Sequence, residues 1–590
     1  MPLAAVSRQP FYFPDGRAWL AGWLHACDAT EARDLVAVIC PAIGPENSRG
    51  YRAVRHLADA LARQGVPALR FEYEGCGNST GSELDPDRIP RWIDNIAAAV
   101  RRARALTGRT RVCLVGLRFG GALAALATAV EAADLLVLWN TPSKGSRYLR
   151  ELQAIAAMGE EGIPTPGLIE AAGSMVTTQT AEAVKRISLD DAPLHAREVL
   201  LVHRGDEGVD AALPARLARD RVPFTEMSSP GWSDMVADQH LSAIPVAAVE
   251  EMAQWVSARG AAFPAPASPP PAELPDTMRC VHGLGPEDVE IEERLVNFGP
   301  AQRMFGVLST RPGGLAATAV ALFNAGSVQH VGPNRLYVDL CRDLAARGYA
   351  ALRLDLRGLG DSIDPDVQEN HPYPATAVGD ALETLRYLRG LGYASIVASG
   401  LCSGAHTAFH VAIDPASEGV AGALLLNPLT YAWREGMSTA VSRRYMQVRG
   451  YRTSAFNPSR WKDVFAGRVN LKRPLAAMAR HGSAAVRSYA NIGLEMFAPM
   501  FASRLARNLR GVLSQHRGIA LLVSESDPGY QMLRDEARWT VHRARKAMRL
   551  TVDTVRDADH TFSTHAVRLV VRDRIPRLLE GLLRGRTPPA

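Results

Sequence analysis

Gly400-Leu401-Cys402-Ser403-Gly404 has the form G-x-nucleophile-x-G, with a thiol at its centre. A nucleophile on a sharp turn between a strand and a helix sits in strained backbone, and only small flanking residues let the two elements approach it. The context fits: residues 394–399 read as a short apolar strand and residues 405–412 as a helix. Downstream, residues 519–524 predict an apolar strand that runs into Glu525, Ser526 and Asp527. A further strand, 550–555, leads into Arg556-Asp557-Ala558-Asp559-His560-Thr561-Phe562. A thiol, a carboxylate and an imidazole in this chain order can serve as nucleophile, orienting acid and general base. Cys402, Asp527 and His560 are therefore the candidate catalytic residues, with Glu525 a near alternative to Asp527. Ser403 is a rival nucleophile whose flanking glycines stand at the wrong offsets. Each residue also has a plainer reading: a cysteine is often a small core hydrophobe, an aspartate a surface turn, a histidine a solvated loop residue. Their order, each after an apolar run, is what points to chemistry.

The elements that must position this triad occur twice. Arg70-Phe71-Glu72-Tyr73-Glu74-Gly75-Cys76-Gly77-Asn78-Ser79 parallels Arg353-Leu354-Asp355-Leu356-Arg357-Gly358-Leu359-Gly360-Asp361-Ser362. Residues 57–65 parallel 340–348, and Val115-Gly116-Leu117-Arg118-Phe119-Gly120-Gly121 parallels residues 399–405. The offset stays at 283 to 284 residues, so a whole domain is duplicated. In the first copy the nucleophile position is Arg118, whose guanidinium stays protonated and cannot attack a carbonyl. An acid remains at Asp206, but the loop 228–235 holds no histidine and His240 lies several residues beyond the aligned position. The first copy reads as a degenerate site, in which Arg118 either pairs with Asp206 or holds an anionic group.

Length and composition agree with two globular domains: 590 residues, 47% apolar. The Pro/Ala-rich stretch 261–275 supports neither helix nor ladder and reads as a linker between a degenerate domain, 1–260, and a catalytic domain, 276–590. Seven cysteines without a C-x-x-C pair argue against a disulfide framework or a zinc site. No nucleotide-binding glycine pattern, apolar leader or bilayer-length run occurs, so the expectation is a cytoplasmic protein without cofactor, metal, nucleic-acid partner or membrane span.

Charge is uneven. Residues 434–517 hold sixteen Lys/Arg against Glu435, Asp463 and Glu495, a net +13 in a chain of net +6. This stretch, with its Met and Phe residues, lies between the strand ending near Asn427 and the acid-bearing strand. It predicts a basic helical cap at about 432–517, with Arg443 and Arg444 as candidate carrier-binding residues. The plainer reading is a solvated arginine-rich face.

Both halves resemble the α/β-hydrolase superfamily, particularly its capped serine-aminopeptidase-like and lysophospholipase-like branch, over nearly the whole of each domain. The first copy, with Pro230-Gly231-Trp232-Ser233-Asp234-Met235, resembles exosortase-associated hydrolases. The second, with cysteine in place of serine, is similar to dienelactone hydrolases and to some thioesterases and cyclases of natural-product pathways. The resemblance implies an α/β fold: two tandem domains, each a mostly parallel sheet flanked by helices, with helical cap insertions. It also implies an oxyanion hole from the N–H groups of Ser403 and of Gly326, in the loop Phe323-Asn324-Ala325-Gly326-Ser327. His330 and Asn334 follow in the same loop, and neither is assigned a role.

Together these readings predict an acyl-transfer enzyme that works through an acyl-S-Cys402 intermediate. Thiolates exchange readily with thioesters, which favours coenzyme A- or acyl-carrier-protein-bound substrates, both acidic. Two alternatives stand beside it. A simple esterase or lactone hydrolase would turn over short p-nitrophenyl esters as fast as thioesters. A non-catalytic scaffold would let iodoacetamide label Cys402 no faster than Cys76 or Cys341.

Overall fold

The computed structural model describes residues 6–27, 33–158, 164–205, 210–261, 273–285, 287–314, 316–434 and 494–584. Asp206, Arg443, Arg444, most of the Pro/Ala stretch and most of the basic segment lie outside the described residues. The chain forms two compact units.

The first carries an eight-stranded sheet in the spatial order Ser7–Pro14, Trp19–Ala26, Ala68–Phe71, Leu35–Cys40, Arg111–Leu117, Ala133–Trp139, Ala196–Arg204, Phe224–Ser229. The first two pairs in this order are antiparallel and the remaining pairs are parallel. An insertion between Ala133–Trp139 and Ala196–Arg204 holds two helices and a small hairpin, Leu168–Ala171 with Ser174–Thr177.

The second sheet has nine strands: Thr277–Leu284, Glu287–Phe298, Met304–Thr310, Ala350–Leu354, Thr318–Phe323, Ser395–Leu401, Val420–Leu426, Gly518–Ser524, Leu550–Val555. From Ala350–Leu354 onward every pair is parallel. Strands buried on both faces must be apolar throughout rather than alternating, and Val420–Leu426 and Gly518–Ser524 are buried at every residue. Strand order reverses between Thr318–Phe323 and Ser395–Leu401, the place where open parallel sheets leave a crevice beyond their carboxyl ends. Asn324, Cys402, Asn427 and Asp527 all follow directly from such ends.

The duplication is visible in backbone angles. Gly75 and Gly77 have φ of 81° and 50°, and Gly358 and Gly360 have 82° and 48°. A Cβ on Gly77 or Gly360 would fall on the carboxylate of Glu72 or Asp355 respectively, so in each copy an acid and a glycine pack as one unit.

Candidate active site

Strand Ser395–Leu401 ends at Cys402, and the helix Ser403–Ile413 begins at the next residue. Cys402 has φ 61° and ψ −114°, a strained conformation for a residue with a Cβ. Packing enforces it. A Cβ on Gly400 would stand 2.6 Å from the Gly404 carbonyl carbon, and one on Gly404 would fall on the Phe323 carbonyl oxygen. Underneath, the buried Tyr337 hydroxyl accepts from the Leu401 N–H at 2.7 Å and donates to the Phe323 carbonyl at 3.0 Å. It ties together the two strands between which the site opens. Cys402 caps an 11-residue helix, so its side chain stands at the helix N-terminus.

His560 lies in the turn after Leu550–Val555. Its Nδ1 is 2.7 Å from Oδ2 of Asp527, whose other oxygen accepts from the Gly529 N–H at 3.0 Å. The Asp527 side chain is fully buried, whereas Glu525 is exposed and faces Arg556 at 3.7 Å. Of the two acids, it is thus Asp527 that meets the imidazole. Asn427 fixes the arrangement from below: its amide donates to the His560 carbonyl at 2.8 Å and accepts from the Ser524 N–H at 2.7 Å. Asn334 donates to the Thr561 carbonyl at 3.1 Å.

Burial alone would lower the pKa of His560. The charge of Cys402 and the hydrogen bond to Asp527 outweigh it and hold the imidazole well above its ordinary value. Nε2 of His560 is buried, and the hydrogen-bonding partner it faces is the Cys402 sulfur. The structure therefore brings Cys402, His560 and Asp527 into one electrostatic unit.

The oxyanion loop departs from expectation. The Gly326 N–H, expected to face a developing oxyanion, donates instead to Ser403 Oγ at 2.7 Å, and that hydroxyl also donates to the Asn324 carbonyl at 3.2 Å. The small polar side chain after the nucleophile reaches back and occupies the donor. The Ser403 N–H itself stands at the first helical position, where no intrahelical acceptor exists. His330 is fully buried with Nδ1 at 2.7 Å from Asp355, so it braces the fold. Among the described residues, His330, Asp355 and Asp361 are grouped closely enough to hold a metal ion. Asp355, however, already accepts from Asn324, from the backbone N–H and Nδ1 of His330 and from the Asp361 N–H.

Residues 326–572 match the family model described as alpha/beta hydrolase family, and residues 48–207 match the one described as serine aminopeptidase, S33. The chain carries two tandem α/β-hydrolase domains. Among solved structures, Est1E from Butyrivibrio proteoclasticus with bound ferulic acid is 22% identical, covering 42% of this chain and 99% of its own, at a TM-score of 0.33. XC6422 from Xanthomonas campestris, an a/b serine hydrolase without lid, is 15% identical, covering 45% and 100%, at 0.30. Proline iminopeptidase from Mycobacterium smegmatis is 19% identical, covering 43% and 99%, at 0.30. No curated protein matches the chain. Among the described residues no helix is long and apolar enough to cross a membrane.

In the first α/β-hydrolase domain the elbow persists with another side chain. Arg118 has φ 53° and ψ −125°, and a Cβ on Gly120 would fall on the Pro41 carbonyl oxygen. The guanidinium is buried. Its Nε bonds Oε1 of Glu46 at 2.5 Å, another nitrogen meets Glu151, and Nη1 reaches the Asn140 carbonyl at 3.4 Å. Tyr148 and Trp232 lie against it, with ring centroids 5.8 and 5.9 Å away. The described partners of Arg118 are thus two glutamates on flanking helices, and Asp206 lies outside the described residues. Trp232 belongs to the loop after Phe224–Ser229, where a general base would be sought, and His240 is exposed.

Sequence reasoning missed Asn427, Tyr337 and Tyr373. Tyr373 stacks on Trp433 (centroids 4.2 Å, planes 8° apart) and meets His406 edge-on at 5.4 Å. Burial first, then His410 and Arg504, lowers His406 to about 3, so it is neutral, and its Nε2 accepts from the Trp433 N–H at 3.3 Å. An aromatic residue in an irregular loop carries no periodic signal by which to find it.

Proposed function

We propose that the second domain catalyses acyl transfer from a thioester or ester through Cys402. The observation that carries this reading is the imidazole of His560, bonded to Asp527 and with its pKa raised by Cys402 and Asp527, beside a cysteine on a strained helix-capping turn. The thiolate adds to the substrate carbonyl, and the C=O electron pair moves onto oxygen. Collapse expels the leaving thiolate or alkoxide, which takes a proton from His560, and leaves acyl-S-Cys402. Neutral His560, oriented by Asp527, then removes a proton from water or another acceptor. That acceptor attacks the acyl carbon, and the thiolate is regenerated.

The acyl-enzyme is itself a thioester, so a thioester donor exchanges at little free-energy cost. The net +13 of residues 434–517 supports an anionic carrier such as coenzyme A or an acyl carrier protein. In the first domain, a salt-bridged arginine at the nucleophile position supports a non-catalytic role. Intact-mass spectrometry after mixing with a panel of acyl thioesters tests the reading. An acyl adduct on Cys402, absent from Cys402→Ala, is expected. Wild-type turnover by Cys402→Ala would overturn it.

A further inference from the structure

Tyr373 sits in the loop between strand Ala350–Leu354 and helix Ala377–Gly390 and is 8% exposed. Trp433 and His406 hold its ring on two sides. Its hydroxyl is buried, and the hydrogen-bonding partner it faces is the Cys402 sulfur. Sulfur is a weak acceptor, so a buried hydroxyl in that state gains when a stronger acceptor reaches it. The polar group it faces is Cys402, with Asp527 beyond.

A donor is wanted at this spot. An acyl transfer needs two fixed donors aimed at the oxygen that becomes negative, one of them the Ser403 N–H. The other backbone candidate, the Gly326 N–H, is taken by Ser403 Oγ at 2.7 Å. The loop of Tyr373 is joined to that of Gly326, because Ser327 Oγ donates to the Asn370 carbonyl at 2.9 Å. A committed backbone donor and a side-chain donor held only by a weak sulfur acceptor thus lie on tethered loops beside one sulfur.

We propose that the Tyr373 hydroxyl is the second oxyanion donor, hydrogen-bonding the substrate oxygen as Cys402 adds to its carbonyl. This rests on Cys402 being the nucleophile. The bond forms as the C=O electron pair moves onto oxygen and breaks as the carbonyl re-forms, with no proton transferred. Burial, then the charge of Cys402 and the hydrogen bond to it, then Asp527, push the Tyr373 pKa up, so the group stays an O–H donor across the working pH range.

Tyr373→Phe keeps the ring and its stacking and removes only the donor. Two rates at Cys402 separate the roles. Acylation by an acyl N-acetylcysteamine thioester, followed by intact mass in single turnover, passes through an oxyanion. Alkylation by iodoacetamide does not, and it reports the thiolate and the integrity of the triad. The expected result is acylation slower by about 10²- to 10³-fold, the usual loss of one oxyanion donor, with alkylation within about threefold of wild type. Acylation within threefold of wild type would overturn the proposal. So would alkylation slowed as much as acylation, which would make Tyr373 a support for the sulfur or for the fold. Failure of the nucleophile reading looks different: wild-type protein would then take no acyl group at Cys402 at all.

Discussion

Asp527→Asn isolates the electrostatics of the triad at constant volume. The carboxylate accepts two bonds, from His560 Nδ1 at 2.7 Å and from the Gly529 N–H at 3.0 Å, and its side chain is fully buried. A carboxamide has one acceptor oxygen. If that oxygen keeps His560, the amide NH2 confronts the Gly529 N–H. If it keeps Gly529, the NH2 confronts Nδ1 and forces the tautomer whose Nε2 carries the proton, so neutral His560 cannot act as base toward the thiol. A hydrogen bond to a charged group contributes about 1.5–3 kcal/mol, and a stranded buried donor costs about 1–3 kcal/mol. Together these come to about 3–5 kcal/mol, or a loss of roughly 10²- to 10⁴-fold in rate. The assay is single-turnover acylation of Cys402 by a thioester between about pH 5 and 10, with thermal melting to confirm folding. Acylation by a folded Asp527→Asn within about threefold of wild type would refute the assignment, because no orientation of the amide serves both partners.

Removing the sulfur by Cys402→Ala should lower the His560 pKa, since the strongest influence raising it is the Cys402 charge; selective histidine labelling and NMR titration read this directly. A raised folded-state pKa supplies stability that is full below about pH 6.5 and lost as pH climbs through the raised value, so melting curves of wild type and Cys402→Ala should differ most at low pH and converge above it. Arg118→Leu strands Glu46 and Glu151 and should destabilise the first domain by about 3 kcal/mol, the low end for a broken buried pair because Glu151 is partly open to water, while thioester acylation at Cys402 continues; an unchanged melt would show that the glutamates simply protonate. Arg118→Ser in a Cys402→Ala background should create no esterase activity, and measurable p-nitrophenyl ester turnover would show a working base in the first domain. Gly404→Ala places a methyl group on the Phe323 carbonyl and 2.8 Å from that of Asn324; a loss of about 1–3 kcal/mol, or about 5 °C in Tm, is expected, and an unaltered Tm would mean the elbow is looser than its contacts imply.

How much of this was legible beforehand follows from where information lies along a chain. Cys402, Asp527 and His560 each end an apolar run, and parallel strands written as apolar runs are easy to read. The φ pairing of Gly75/Gly77 with Gly358/Gly360 follows a repeat that alignment of the chain with itself already displays. The partners of Arg118 were not legible. Glu46 and Glu151 lie 72 and 33 residues away on separate helices, and neither spacing nor residue type says that an insertion will fold down over the elbow. Gly326 was misjudged for a related reason: its N–H is free in an abstract loop, and only the rotamer of Ser403 decides otherwise.

The strained angle at Arg118 has a consequence for how such chains are recognised. With φ 53° against 61° at Cys402, both turns are cast by the same glycine contacts, whatever side chain stands at the apex. The mould therefore outlasts the tool it was shaped for. A family description that names serine fits residues 48–207 although arginine occupies the apex. In a doubled chain of this kind, likeness measures inheritance of shape, and a single apical residue in each copy carries the record of what that shape is used for.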